Sequence, residues 1–442
     1  MAARSASASS PATAVETSVA DLGELQVTHG VGKEGLYFNA KSKLMQKLFS
    51  QPIQSIKCRS AFLQTPFWAK NGHVSTVLAH MFRATSKGHP GEGYDRMLLN
   101  TRDGGTLSVD VTKTSKKKSA EGGENTSLKL HQNPFVLMVA GLGGSSTDPY
   151  TQAMTSACAK RGWKSAVVCM RGTGNGPVTS GRLFSARRGS TEDVRYTIAQ
   201  LKSKGIIEEE QPIVGIGWSL GGCIMNNTIL EQDEMVNPEA RLDAVAALGA
   251  PYSLHHSSEV LKPFPNWIYS KRMAQGLVNI LKPVAHNFEG VKHNFLGKET
   301  FNFDPEKIYS SQSIKEFDEH LTAPFFGFGS AREYYDYSSP GPRFSAQTPS
   351  VPTIIVSALD DPVVGNQGIP YEAARKNPNM LVVATSYGGH LGWCEGADKG
   401  CGYAQDPSQT SWTEDLVLDF FKHSLQHKHD EDKTNNVQAC NQ

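Results

Sequence analysis

Pro212-Ile213-Val214-Gly215-Ile216-Gly217-Trp218-Ser219-Leu220-Gly221 is the stretch that decides the fold. An apolar run from Pro212 to Trp218 reads as a buried strand, and a helical pattern opens directly after it, from Leu220 to Leu230. Between them lies Gly217-Trp218-Ser219-Leu220-Gly221, the pattern G-x-S-x-G. On its own the pattern is common, but placed on a strand-to-helix turn it marks a nucleophile elbow. Such a turn lifts the serine hydroxyl out at the carboxyl end of the strand. The helix amino terminus beside it favours negative charge.

Working outward, the same alternation repeats. Pro134 to Ala140, Lys164 to Cys169, Leu242 to Leu248, Thr353 to Ser357 and Leu381 to Thr385 read as short, continuous apolar strands. Tyr150 to Lys160, Ser190 to Lys204 and Thr413 to Phe421 read as helices, with Ser190 expected as an N-cap and Glu192 and Asp193 at the positive end. Strands without polar alternation are buried on both faces, so the expected fold class is α/β, a mostly parallel sheet covered by helices on both faces. Arg96 to Asn100 and Thr106 to Val111, joined at Asp103-Gly104-Gly105, read as a strand pair ahead of it. Residues 251 to about 310 hold no strong strand and are rich in aromatic and basic side chains, so they are expected to form an inserted cap. The domain reading is an N-terminal extension over 1–60, partly disordered, and one domain over 61–442. The stretch from Leu44 to Phe49 is expected to pack on the body, a bilayer contact being the alternative. Lys113 to Thr126 is polar and of mixed charge, and is read as an exposed loop.

A serine at an elbow needs a base, and the base needs an orienting acid. In this arrangement the chain order is serine, acid, histidine. Ala358-Leu359-Asp360-Asp361-Pro362 follows one late strand, and Gly388-Gly389-His390-Leu391-Gly392 follows the next. Both loops fall at strand carboxyl ends, the edge where Ser219 is expected. His390 is the candidate general base. Of the two aspartates Asp361, directly before Pro362, is preferred, while Asp360 is expected to face solvent or a backbone amide. Backbone amides of Leu220, after the nucleophile, and Leu142, in the loop Gly141-Leu142-Gly143-Gly144, are the expected oxyanion donors.

Composition sets limits on the rest. The chain has 442 residues, 38% hydrophobic and 20% charged, with a net charge of +1, so no nucleic-acid footprint is expected. Its 7 cysteines show no close ligand spacing, and no metal or organic cofactor is expected. Cys158, Cys169 and Cys223 lie among apolar neighbours and read as buried thiols, which points to a reducing, cytoplasmic setting. His423, His427 and His429 form a tail cluster read as solvated. No apolar run is long enough to span a bilayer, and the Ala- and Ser-rich Met1 to Ala20 lacks the apolar core of a secretory leader.

Several further segments carry a resemblance. They are Pro66-Phe67-Trp68 with Asn71-Gly72-His73 and Thr76; Arg171-Gly172-Thr173-Gly174; Phe317-Asp318, Thr322, Pro324, Gly327 and Glu333-Tyr334-Tyr335; and Gly388 to Trp393 with Glu395-Gly396. Together they make the chain, over roughly Phe62 to Phe421, resemble the α/β-hydrolase fold. Within it they match abhydrolase-domain lipases and esterases, including YheT-type hydrolases and the yeast medium-chain ethyl-ester synthase/esterases. The resemblance implies a Ser219, Asp361 and His390 triad. It implies an ester hydrolase for lipid or short- to medium-chain acyl esters, or an alcohol O-acyltransferase built on the same acyl-enzyme. Ala140 stands where many relatives have histidine and Ser75 where glutamine is common, departures that leave the backbone donors in place.

Overall fold

A computed structural model describes residues 34–50, 65, 67–85, 93–113, 133–235, 240–393 and 411–440. Most of the N-terminal extension over 1–60, expected to be partly disordered, and most of the loop after Lys113 lie outside the described residues. In chain order the elements used below are β1 (Gly35–Phe38), α1 (Lys43–Ser50), α2 (Gly72–Thr85), β2 (Tyr94–Asn100), β3 (Thr106–Thr112) and β4 (Phe135–Val139). There follow α3 (Pro149–Lys160), β5 (Ser165–Cys169), α4 (Ser190–Ser203), β6 (Ile213–Trp218), α5 (Leu220–Gln232) and β7 (Ala244–Leu248). The chain continues with α6 (Leu254–Val260), α7 (Trp267–Leu281), β8 (Thr353–Ala358), β9 (Met380–Thr385) and α8 (Trp412–Cys440).

The strands form one sheet in the order β1-β9-β8-β7-β6-β4-β5-β3-β2. The six strands from β4 to β9 run parallel, and β3 and β1 close onto β5 and β9 antiparallel. All six are buried along their whole length. Alternate residues feed two separate cores, as a sheet covered on both faces requires. Phe135, Leu137 and Val139 of β4 enter one core, and Val136 and Met138 the other. The second core also holds Trp412, Leu416, Phe420 and Phe421 of α8 and Leu44, Met45, Leu48 and Phe49 of α1. The α1 stretch therefore packs on the body, as expected. β1 was not expected; four residues are too few for a periodic signal, and its pairing with β9 supplies the missing hydrogen bonds.

At the elbow, β6 turns its glycine face to α5. A β-carbon on Gly217 would lie 2.2 Å from the Gly221 carbonyl oxygen, and one on Gly221 would lie 2.1 Å from that of Val139. The two glycines let helix and strand meet at a backbone separation that no side chain allows.

One expectation is corrected at α4. Gly189, not Ser190, holds the N-cap position, with φ 86. Glu192 accepts the Gly189 amide at 2.6 Å, while the Ser190 hydroxyl accepts the Ser185 amide at 2.9 Å. The sequence pattern could not show that this turn needs a positive φ.

Between β7 and β8 no strand lies among the described residues. The intervening helices run from Leu254 to Ala346, past the end at about 310 read from the sequence. Inside this excursion Asp318 opens a short π-helical turn, Asp318–Thr322, and accepts the Tyr335 hydroxyl at 2.9 Å. Burial pushes its carboxyl up to about 6 against the lowering effect of hydrogen bonds from Thr322 and Tyr335.

Two stability predictions follow from this packing. Gly221→Ala places a methyl against the Val139 carbonyl, and should cost roughly 2–4 kcal/mol in urea unfolding. An unchanged midpoint would contradict the elbow packing. Because the folded state holds the Asp318 proton more tightly than the unfolded chain does, its contribution is complete below about pH 4. It is lost as pH rises through about 6, an effect of roughly 1–3 kcal/mol. Asp318→Asn should therefore gain stability relative to wild type between these limits, and parallel pH profiles for the two proteins would contradict the assignment.

Candidate active site

Ser219 sits between β6 and α5 with φ 52 and ψ −120, a conformation that L-residues rarely adopt. Its amide donates to the Leu248 carbonyl at 2.9 Å, and its carbonyl accepts the Cys223 amide at 3.1 Å. The hydroxyl is left pointing off the sheet edge, where it lies 2.9 Å from His390 Nε2.

His390 follows β9 and Asp361 follows β8, so the parallel order of the sheet delivers both to the edge where β6 ends. His390 Nδ1 is 2.8 Å from Asp361 Oδ2. The other carboxylate oxygen, Oδ1, accepts the amides of Val363 at 2.8 Å and Val364 at 3.0 Å. Asp361 is 5% exposed, and these two donors fix the orientation of its side chain. A carboxylate only accepts, so Nδ1 carries the proton and Nε2 offers its lone pair to the Ser219 hydroxyl. The structure thus brings Ser219, His390 and Asp361 into one hydrogen-bonded series.

Asp360 points elsewhere. Its Oδ1 accepts the Gly389 amide at 2.8 Å, and Oδ2 is buried with no partner among the described residues. Burial raises this carboxyl to about 6, with the Asp361 charge adding to the effect. Asp360 bonds a backbone amide, one of its two expected positions.

Sequence reasoning passed over what holds the histidine loop. Thr76 of α2 accepts the His390 amide at 2.8 Å and donates to the Gly72 carbonyl at 2.6 Å. Gly389, at φ 51, lies so close to Gly72 that a β-carbon would stand 2.3 Å from its carbonyl oxygen. The first turn of α2 therefore clamps the loop through backbone contacts. The motif residues Gly72 and Thr76 were visible in the sequence, but their partner is more than 300 positions away.

The loop after β4 is built in the same way. Tyr150 donates to Asp148 at 2.9 Å and accepts the Gly141 amide at 3.0 Å, while Asp148 also accepts the Ser145 amide at 2.9 Å. This places Gly141 so that its β-carbon position is 3.3 Å from that of Ser219. Leu142 and Leu220 both line the cavity that Ser219 enters. Leu220 is the first residue of α5, so its amide has no acceptor within the helix. Arg171, by contrast, is buried against Asp193 at 2.8 Å and Asp103 at 3.0 Å, and so braces the neighbouring loop rather than facing the serine.

The cavity above Ser219 has a volume of about 120 Å³. Leu183, Leu254, Leu261, Leu277, Phe288 and Phe325 make its wall mainly apolar, with Asp318 and Tyr335 at one side. Helices α6 and α7 of the excursion supply much of this wall. Among the described residues no group of three histidine, cysteine or acidic side chains is arranged to hold a metal. Cys158, Cys169 and Cys223 are buried free thiols, each pushed up to about 12 by burial. No described helix is long and apolar enough to cross a membrane.

Comparison with known proteins agrees with this architecture. Residues 134–397 match the family described as alpha/beta hydrolase fold. The chain is 30% identical over 355 residues to embryogenesis-associated protein EMB8 of Picea glauca, covering 80% of this chain and 70% of that protein. It is 26% identical over 367 residues to human phospholipase ABHD3, covering 82% and 79% of the two chains. It is 29% identical over 304 residues to medium-chain fatty acid ethyl ester synthase/esterase 2 of Saccharomyces cerevisiae, covering 65% and 62%. With a family match over more than half its length, the chain belongs to the alpha/beta hydrolase fold family, in the branch of abhydrolase-domain lipases and esterases.

Proposed function

We propose that the protein is a serine carboxylic-ester hydrolase for lipid or short- to medium-chain acyl esters. The observation that carries this reading is the 2.9 Å contact from Ser219 to a histidine whose tautomer Asp361 fixes. As Ser219 Oγ attacks the acyl carbonyl carbon, His390 Nε2 takes its proton. The carbonyl oxygen becomes an oxyanion, held by the amides of Leu142 and Leu220. Collapse expels the alcohol, which takes the proton from His390, and leaves an acyl-enzyme on Ser219. Water then attacks with His390 again as base, releasing the acid and restoring the serine. Asp361 stabilises the imidazolium throughout. The chemistry needs neither a metal nor an organic cofactor.

The apolar cavity suits an acyl chain, and the helices between β7 and β8 act as a cap over it. The names of the relatives, a phospholipase and an ester synthase/esterase among them, support an acyl-ester substrate. The latter name also favours a second reading, in which an alcohol competes with water for the same acyl-enzyme. Three buried thiols fit a reducing, cytoplasmic setting.

Ser219→Ala and His390→Ala should each lower turnover of p-nitrophenyl butyrate by about 10³-fold or more, and Asp361→Asn by a comparable factor, with folding intact by circular dichroism. Asp360→Asn should leave most of the rate. Retained turnover by the Ser219 variant, or loss confined to the Asp360 variant, would overturn the assignment.

A further inference from the structure

Six of the nine large apolar side chains exposed among the described residues fall in two short stretches. Phe67, Val74 and Val77 lie on and just before α2, and Phe264, Trp267 and Ile268 lie on and just before α7. Phe67 is 87% and Phe264 81% exposed. The two stretches touch, since His73 Nδ1 is 3.1 Å from the Tyr269 hydroxyl and the two rings stack at 5.8 Å. An apolar face assembled from two elements is an interaction surface rather than scattered exposure.

Its charge selects the partner. Between Phe67 and Val77, and again between Lys262 and Arg272, the sequence carries no acid. The charged side chains there are Lys70, Lys262, Lys271 and Arg272, all exposed. Among the described residues only Lys262 has an acidic partner, Glu259 at 2.6 Å. Lys271 Nζ stands 5.1 Å from the centre of the Trp267 ring, so cation and aromatic form a joined pair. Aromatic side chains ringed by lysine and arginine match the boundary of an anionic bilayer, where the rings enter the acyl region and the cations stay at the phosphates.

Position ties the face to the site. On the opposite side of α7, Ser270, Met273 and Leu277 line the Ser219 cavity. The first turn of α2 is the one that clamps the His390 loop. We propose that Phe67, Phe264, Trp267 and Ile268, with Lys70, Lys271 and Arg272, dock the protein on an anionic phospholipid surface, across α7 from the Ser219 cavity. The biological sense of this rests on the ester-hydrolase reading, but the binding itself does not.

The test uses the full chain carrying Ser219→Ala, so that vesicles stay intact, in co-sedimentation with phosphatidylcholine vesicles with and without phosphatidylserine. The expected result is binding that phosphatidylserine strengthens and salt weakens. Phe67→Ser with Phe264→Ser should lower vesicle affinity by about tenfold or more. Lys271→Glu with Arg272→Glu should remove the phosphatidylserine dependence. In the otherwise wild-type enzyme, Phe67→Ser with Phe264→Ser should keep hydrolysis of a water-soluble ester within about twofold. Undiminished vesicle binding by the aromatic variant would overturn the proposal. So would loss of soluble-ester hydrolysis, or a wild-type chain that binds no vesicles and instead forms dimers which the aromatic variant abolishes. Patch-dependent vesicle binding together with an inactive wild-type enzyme would keep the docking face and refute the hydrolase reading instead.

Discussion

The backbone of Ser219, held at φ 52 between β6 and α5, is the constraint on which the rest of the structure depends. A non-glycine residue in that region costs on the order of 1–3 kcal/mol. The cost is met because the turn is fixed at both ends: by the parallel hydrogen bonds of β6, and by an α5 that meets β6 and β4 through glycine backbones. Relaxing the turn would require separating helix from sheet. The strain therefore persists, and with it the outward position of the hydroxyl. Everything else at the site is arranged around that fixed atom.

The supporting loops follow a common plan. In each, a side chain accepts backbone amides of the loop, from a distant helix in the case of Thr76 and from within the loop in the case of Asp361, which leaves Ser219 and His390 free to bond one another. Thr76 holds the amide of His390, Tyr150 holds that of Gly141, and Asp361 takes two amides at one oxygen and the imidazole at the other. Such preorganisation keeps the imidazole lone pair aimed at the serine before any substrate arrives. Helix α7 then joins site to surroundings, with one face on the cavity and another on the exposed apolar patch.

The parts legible in the sequence were those encoded locally. The elbow is legible because strand, glycines, serine and helix are contiguous. His390 and Asp361 are legible because a parallel sheet sends successive strand ends to one edge, so chain order alone places them near Ser219. The preference for Asp361 over Asp360 agrees with the geometry, in which only Asp361 reaches the imidazole. Features made by long-range contacts were not legible. The clamp from Thr76 depends on a residue far along the chain, and β1 exists only by virtue of β9. Arg171 was recognised as part of a motif, but its role as a brace needs Asp103 and Asp193, which no spacing rule connects to it. Ser190 was misplaced as a cap because the turn at Gly189 needs a positive φ that composition does not report.

The central claim is that Ser219 is the activated nucleophile. Its most direct test is peptide mass mapping of the protein after brief exposure to a fluorophosphonate, with the His390→Ala variant in parallel. A single adduct on Ser219, formed much more slowly in the variant, is the result this account predicts. No adduct, or one on a different serine that forms equally fast without His390, would contradict it.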